Sequence, residues 1–296
     1  MVELLTALAI ISMLVALLIP SLTMVRNFAK ETRQNAQFAT IGQALLAFRA
    51  DYGDYPPSDR HLLYSPRYGG AQKLAEALLG WDLLGFHPQS AWRWDGRDRN
   101  DGPLTYDPDR VRVGPTGIDL TLYERRGPYL DLAAIDAFKL GDLYGPAGTG
   151  DLEPQTYVLC DTFPVKKVTV TIGPVGNQKV VTQKAGTPIL YYRANISSRN
   201  EVGIGTWDQQ IYNYGDNRPL TEQLPSLGST VLPPPSWVWH PLGDDTNNYE
   251  VFREEITDMR IFETSGRYWP HRPDSYILIS AGVDGLYGTN DDITNF

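Results

Sequence analysis

Residues 280–293, read as Ser-Ala-Gly-Val-Asp-Gly-Leu-Tyr-Gly-Thr-Asn-Asp-Asp-Ile, hold the densest set of oxygen donors in the chain. Asp284, Thr289, Asp291 and Asp292 fall within nine residues, and Gly282, Gly285 and Gly288 let the backbone wrap. Calcium takes six to eight hard oxygens at flexible angles, which a glycine-rich loop of carboxylates and carbonyls supplies. The alternative is an acidic turn solvated at the surface. A second such group lies at the other end. Glu3 stands at the start of Leu4–Val25, 22 residues without a charge. An ionised carboxylate at the edge of hydrocarbon costs on the order of 2–3 kcal/mol unless paired, so Glu3 either snorkels to an interface at a helix start or meets a cation.

Other constellations are weaker. There is no H-E-x-x-H, G-x-S-x-G, P-loop lysine or Cys–His arrangement. His61, His87, His240 and His271 are scattered, the last three each next to a proline. The expectation is that the protein is not an enzyme. Asp95, Asp98, Asp101 and Gly102 imitate part of an EF-hand at a spacing of three rather than two, which favours a surface loop. Asn195-Ile196-Ser197 has the form of a glycosylation sequon. Cys160 is the single cysteine, so no internal disulfide is possible; within Tyr157-Val158-Leu159-Cys160 it reads as a small core residue.

The elements that must position these groups follow from pattern. Leu4–Val25 as a helix spans roughly 33 Å, about one hydrocarbon thickness. A secretory signal is disfavoured, since Met-Val-Glu carries no basic residue and Ser21-Leu22-Thr23 is a poor cleavage site. Pro20 removes one helix hydrogen bond, which membrane helices tolerate. The helix is expected to run to about Ala50, with Phe38, Ile41, Leu45 and Phe48 on a sheet and Gln34, Gln43 and Arg49 outward. A short amphipathic helix is expected over 69–81, with Leu74, Leu78 and Trp81 inward. Another is expected over Leu130–Leu140, stopped by Gly141. Strands are expected over Thr156–Cys160, Lys167–Ile172, Lys179–Gln183, Pro188–Ala194 and Tyr276–Ser280, the second and third forming a hairpin through 173–177. Residues 82–128 and 213–247 read as loops, the latter contacting a neighbour through Trp237 and Trp239. The 27 glycines, 22 prolines and 17 tyrosines favour strands and long turns, and about 245 residues beyond the stem suffice for a real core. A net charge of −9 without a Lys/Arg block disfavours direct nucleic-acid binding.

The apolar run, a glutamate at its start and a proline 17 residues later together resemble the N-terminal stem of type IV pilins and of type II secretion pseudopilins. Asp51-Tyr52-Gly53-Asp54-Tyr55-Pro56-Pro57 is similar to the tyrosine–proline motif that follows that stem, and residues 280–293 meet the major pseudopilin pattern S-x-G-x-D-G-x-x-G-T-x-D-D-I. The resemblance implies an α+β, type IV pilin-like fold: a long N-terminal helix packed on an antiparallel sheet, with large loop insertions. It divides the chain into a hydrophobic transmembrane and filament-core stem (1–25), an amphipathic half of the same helix (26–52) and a globular head (53–296) ending in the loop 280–293. It implies a structural Ca²⁺ held by the carboxylates of Asp284, Asp291 and Asp292, the Thr289 side chain and the Ala281 carbonyl. It assigns Glu3 and Pro20 to assembly, Glu3 neutralising the N-terminal ammonium of a neighbouring subunit. It implies as partners further copies of the chain in a helical homopolymer, a prepilin peptidase, an inner-membrane assembly platform, and the membrane before assembly. It also implies two mature residues and a leader upstream of Met1, and melting of the stem around Leu14–Ile19 in the filament, although the run from Glu3 to Pro20 lacks the usual glycine. An extracellular pilus-like fibre is the leading expectation. A short periplasmic pseudopilus is the alternative, and a single-pass anchored binding or hydrolase domain a remote one.

Overall fold

A computed structural model describes residues 2–59, 67–97, 105–106, 120–172, 179–201, 209–227, 239–243 and 248–296. The architecture is mixed α+β, with helices around small antiparallel sheets. Helix α1 is Val2–Tyr52. It is continuous over 14–20 in the isolated chain, so the unwinding expected of Leu14–Ile19 is not seen there. One proline removes one hydrogen bond, and the bonds on either side persist. The side chain of Pro20 lies outside the described residues.

From Lys30 onward α1 meets the head, beginning where the Thr162 hydroxyl donates to the Lys30 carbonyl at 3.1 Å. Phe38, Ile41, Ala44, Leu45 and Phe48 are buried at helical spacing. They join Leu159, Ile189, Tyr191, Tyr276 and Leu278 in one core cluster. Burial of each is worth about 1.5–3 kcal/mol, so this stripe seats the helix. Gln43 and Arg49 are exposed as expected, but Gln34 is fully buried. Its Oε1 accepts from the Thr162 backbone N–H at 2.9 Å, and Gln37 Nε2 donates to the Cys160 carbonyl at 2.9 Å. Two amides thus clip the helix to the backbone of Cys160 and Thr162.

Helix α2 (Gly70–Leu79) falls where an amphipathic helix is expected, yet it is buried on every side. Its polar residues are satisfied internally. Gln72 Nε2 donates to Thr156 Oγ1, Lys73 to the Asp59 carbonyl, and the Tyr68 and Ser90 hydroxyls to Glu76. Strand β1 (Asp136–Lys139) and helix α3 (Leu140–Tyr144) replace the single helix expected over Leu130–Leu140. The cause is pairing: β1 lies antiparallel to β2 (Tyr157–Cys160), Asp136 opposite Cys160 and Lys139 opposite Tyr157. A tertiary ladder overrides the local helical pattern. Gly145 ends α3, four residues beyond the expected stop.

Strands β3 (Lys166–Ile172) and β4 (Lys179–Ala185) form a hairpin whose turn lies outside the described residues. Strands β5 (Leu190–Arg193), β6 (Tyr276–Ser280) and β7 (Ile293–Thr294) make a three-stranded sheet, β6 central. A bridge from Cys160 to Pro188 joins β2 to the entry of β5, so the two sheets form one surface under α1. Helices α4 (Arg218–Glu222) and α5 (Asn248–Ile256) cover the other side, burying Leu220, Phe252 and Ile256 in a second core with Tyr192 and Ile277, and α6 (Met259–Ser265) follows without a buried residue. Residues 228–238, including Trp237, lie outside the described residues; Trp239 is partly exposed.

Candidate functional site

Two places carry the residues singled out by sequence. The first is the front half of α1. Twelve large apolar side chains between Leu4 and Phe28 are exposed, among them Leu4 (68%), Met13 (69%) and Ile19 (62%). Glu3 is exposed in the first turn, where its carbonyl accepts from the Thr6 hydroxyl at 2.9 Å. Among the described residues no helix is long and apolar enough to cross a membrane, and several side chains of the run 1–25 fall outside that set.

The second is the loop between β6 and β7. Gly282, Gly285 and Gly288 have φ of +63°, +72° and +85°, which L side chains rarely adopt. These turns fold the loop around Asp291. Its Oδ2 accepts from the backbone N–H of Val283 (2.6 Å) and Asp284 (3.0 Å), and its Oδ1 lies 2.7 Å from Thr289 Oγ1. Asp292 Oδ2 accepts from the Gly288 N–H at 2.7 Å, and Asp284 Oδ1 from the Leu286 N–H at 2.8 Å. Asp284, Thr289, Asp291 and Asp292 therefore converge, and Ala281 sits fully buried at the loop's entry.

The electrostatics are unbalanced. Partial burial works against ionisation of Asp291, but Thr289 and the loop N–H groups outweigh it and hold its carboxyl below the ordinary value. Asp284 is raised, by burial first and by the Asp291 charge next. Asp292 is pushed up to about 8, chiefly by burial, with the charges of Glu255, Asp291 and Asp284 adding. Among the described residues no Lys, Arg or His forms an ion pair with any of the three. As a donor set the loop is all hard oxygen with up to three negative charges, which suits Ca²⁺ rather than a softer metal. Among the described residues no group of three or more His, Cys, Asp and Glu side chains is already gathered as a metal cage. In this arrangement the oxygens of Asp291 and Asp292 are turned to backbone and hydroxyl donors.

Beneath the loop lie residues that sequence reasoning missed. Asp161 is buried, accepting from the Thr187 and Phe163 N–H groups through Oδ1 and from the Ser280 hydroxyl through Oδ2 at 2.9 Å. Burial raises its carboxyl to about 7 despite those bonds. His240 packs on Tyr287 at 4.6 Å between ring centroids, and its Nδ1 accepts from the Tyr287 N–H at 3.2 Å. Burial lowers it to about 3, so it is neutral. No pattern in the sequence marks either residue; only strand pairing brings 161 and 280 together.

The remaining candidates stay apart. Asp95 is held by Arg93 at 2.9 Å, while Asp98, Asp101 and Gly102 lie outside the described residues, as does His61. His87 meets Tyr106 edge-on, His240 packs tilted against Tyr287 and His271 stacks on Phe296, three separate places. Cys160 is buried, and its thiol is pushed well up by burial. Asn195-Ile196-Ser197 forms an exposed turn. Comparison with protein families, with curated proteins and with solved structures returns no match.

Proposed function

We propose that this chain is the structural subunit of a type IV pilus-like extracellular filament, with a pilin-like fold, polymerising through α1. The observation that carries this reading is the contrast within one helix. Its second half is seated on the head by a buried stripe, while its first half leaves twelve large apolar side chains exposed. At about 1.5–3 kcal/mol each, covering them is worth on the order of 20–30 kcal/mol gross. Association costs about 4–15 kcal/mol. A surplus of that size favours two successive environments, the inner membrane before assembly and the stems of other copies after it. Processing by a prepilin peptidase and extraction by an inner-membrane platform belong to the same reading.

Glu3 acts at that step. Carried into an apolar filament core, its carboxylate needs a cation, and the N-terminal ammonium of an adjacent copy is the partner that fixes axial register. The C-terminal loop acts on the head. Ca²⁺ bound by Asp284, Asp291, Asp292, Thr289 and the Ala281 carbonyl supplies positive charge to a loop that has none. It staples a chain end that a single cysteine leaves without a disulfide. The loop and the Tyr-Pro motif favour a second reading, a short periplasmic pseudopilus of a type II secretion system.

The test is Glu3→Gln in the full chain. Leaving an ammonium unpaired costs a few kcal/mol per subunit, so sheared filaments fall at least about tenfold while head melting is unchanged. Wild-type yields from Glu3→Gln, or a full-length chain that stays monomeric on detergent removal, would reject the filament. Negative-stain images of sheared cell surfaces separate the two assemblies: abundant long fibres of this chain exclude the short pseudopilus.

A further inference from the structure

The β3–β4 hairpin is electrostatically unlike the rest of the molecule. Residues 166–185 hold Lys166, Lys167, Lys179 and Lys184 and no Asp or Glu, so the chain's −9 becomes −13 once these four lysines are set aside. Among the described residues the two strands pair only with each other, which leaves both edges of the ribbon without a further strand. The ribbon has two distinct faces. Val168 and Ala185 are buried on the head and Val170 packs against the same core, so this face anchors it. The other face carries Lys167 opposite Lys184 and Thr169 opposite Thr182, all exposed. Lys166 is committed to the Leu143 carbonyl. Among the described residues Lys167, Lys179 and Lys184 have no ion-pair partner. Like charges placed directly opposite on one face of a ladder destabilise it. The outward pair gives the head no stability, and an acid from outside relieves it.

We propose that this hairpin is an inter-subunit arm whose outer face docks on the acidic surface of a neighbouring copy of the chain. The inference rests on the filament reading and names a head contact within it. Charge complementarity selects the occupant. A nucleic acid or an anionic lipid surface meets the repulsion of the −13 body around three accessible lysines. A second copy sets the basic arm against exposed acids such as Asp131, Glu254, Glu263 and Asp274. Arm and acidic surface are different patches, so the contact is heterologous and repeats along an open helix rather than closing a dimer.

The experiment uses the full chain, assembled from equal parts of ¹⁴N- and ¹⁵N-labelled protein and treated with a carbodiimide that joins amines to carboxylates at zero length. The expected result is mixed-isotope cross-links from Lys167 or Lys184 to Asp or Glu, falling about tenfold or more in K167E/K184E. Head melting should not fall in that variant, because both side chains are exposed. Filaments whose mixed-isotope cross-links avoid these lysines overturn the arm and leave the filament standing, as does wild-type assembly by K167E/K184E. Lysines shielded only by anionic vesicles or by single-stranded DNA, with self-assembly unaffected by K167E/K184E, also overturn it. Absence of any mixed-isotope product overturns the arm together with the filament.

Discussion

Asp292→Asn separates the acidic loop as a cation site from the acidic loop as a solvated turn. Asp292 is half-buried and its carboxyl is pushed up to about 8, against about 3.9 in an unfolded chain. A folded-state value above the unfolded one means that the native head binds this proton more tightly. The resulting stability is fully present below about pH 4 and is lost as pH rises through about 8. At about 1.4 kcal/mol per unit, the gap bounds the loss at about 6 kcal/mol. The neighbouring charges of Glu255, Asp291 and Asp284 share in that figure, so about 2–4 kcal/mol is expected. For a head of this size 1 kcal/mol moves Tm by about 2–4 °C, giving a fall of about 5–15 °C between pH 5 and pH 9 in chelator. Asp161, raised to about 7, titrates in the same window, and the Asn variant isolates the Asp292 share. Asparagine keeps an acceptor for the Gly288 N–H, so metal-free Asp292→Asn should melt higher than wild type at pH 9 and match it at pH 5. With Ca²⁺ at about 100 times its Kd the wild type should gain about 2.7 kcal/mol, and Asp292→Asn a small part of that. Differential scanning calorimetry across pH, with and without chelator, reads both effects. A variant whose pH slope in chelator equals that of wild type refutes the electrostatic argument. A wild type indifferent to Ca²⁺ refutes the site.

Two further substitutions test the structure. Gly282→Ala places a Cβ 2.1 Å from the Asp291 carbonyl oxygen at a φ of +63°. It should cost more than about 2 kcal/mol and abolish the Ca²⁺ response, whereas Gly53→Ala, at φ +85° with open space around it, should cost about 1 kcal/mol; thermal melts compare them. Gln34→Ala leaves the buried Thr162 N–H without its acceptor and should cost about 1–3 kcal/mol, with faster proteolysis around residues 26–37. Exposed Gln43→Ala should stay within about 0.5 kcal/mol.

What could be read without coordinates follows a physical line. The stripe Phe38, Ile41, Leu45 and Phe48 and the runs at 157–160 and 276–280 were readable because burial on one or both faces imposes a period. Where a residue's role depends on a distant strand, the pattern misleads. Gln34 reads as a solvent-facing amide and is buried because its Oε1 meets the Thr162 backbone N–H just past β2. Lys73 and Glu76 read as the wet side of α2, yet both are buried, since Asp59, Tyr68 and Ser90 arrive to satisfy them. The segment 130–140 contains a helical pattern that β2 converts to a strand by pairing. Residues 248–265, rich in acids, give little apolar signal, and α5 holds on the head through a few anchors such as Phe252 and Ile256. The loop oxygens were readable as chemistry, but Asp161, which braces the loop, was not.

Asp161 also changes how the two ends of the chain relate. Gln34 and Gln37 hold α1 to the backbone of Thr162 and Cys160, the residues flanking Asp161. Asp161 in turn holds the Thr187 N–H beside the bridge into β5 and the Ser280 hydroxyl at the mouth of the acidic loop. Gly186 lets this happen, since any Cβ there would lie 2.1 Å from Asp161 Oδ1. The seat of the stem and the root of the loop therefore share one buried carboxylate and three consecutive backbone groups. A buried acceptor serving three donors is expensive to break, because each donor then goes unsatisfied at about 1–3 kcal/mol. On the proposed reading, a cation in the loop and neighbouring stems on the helix would load the same strand end. Tying down the loop would then reinforce the place where the proposed filament would load the head.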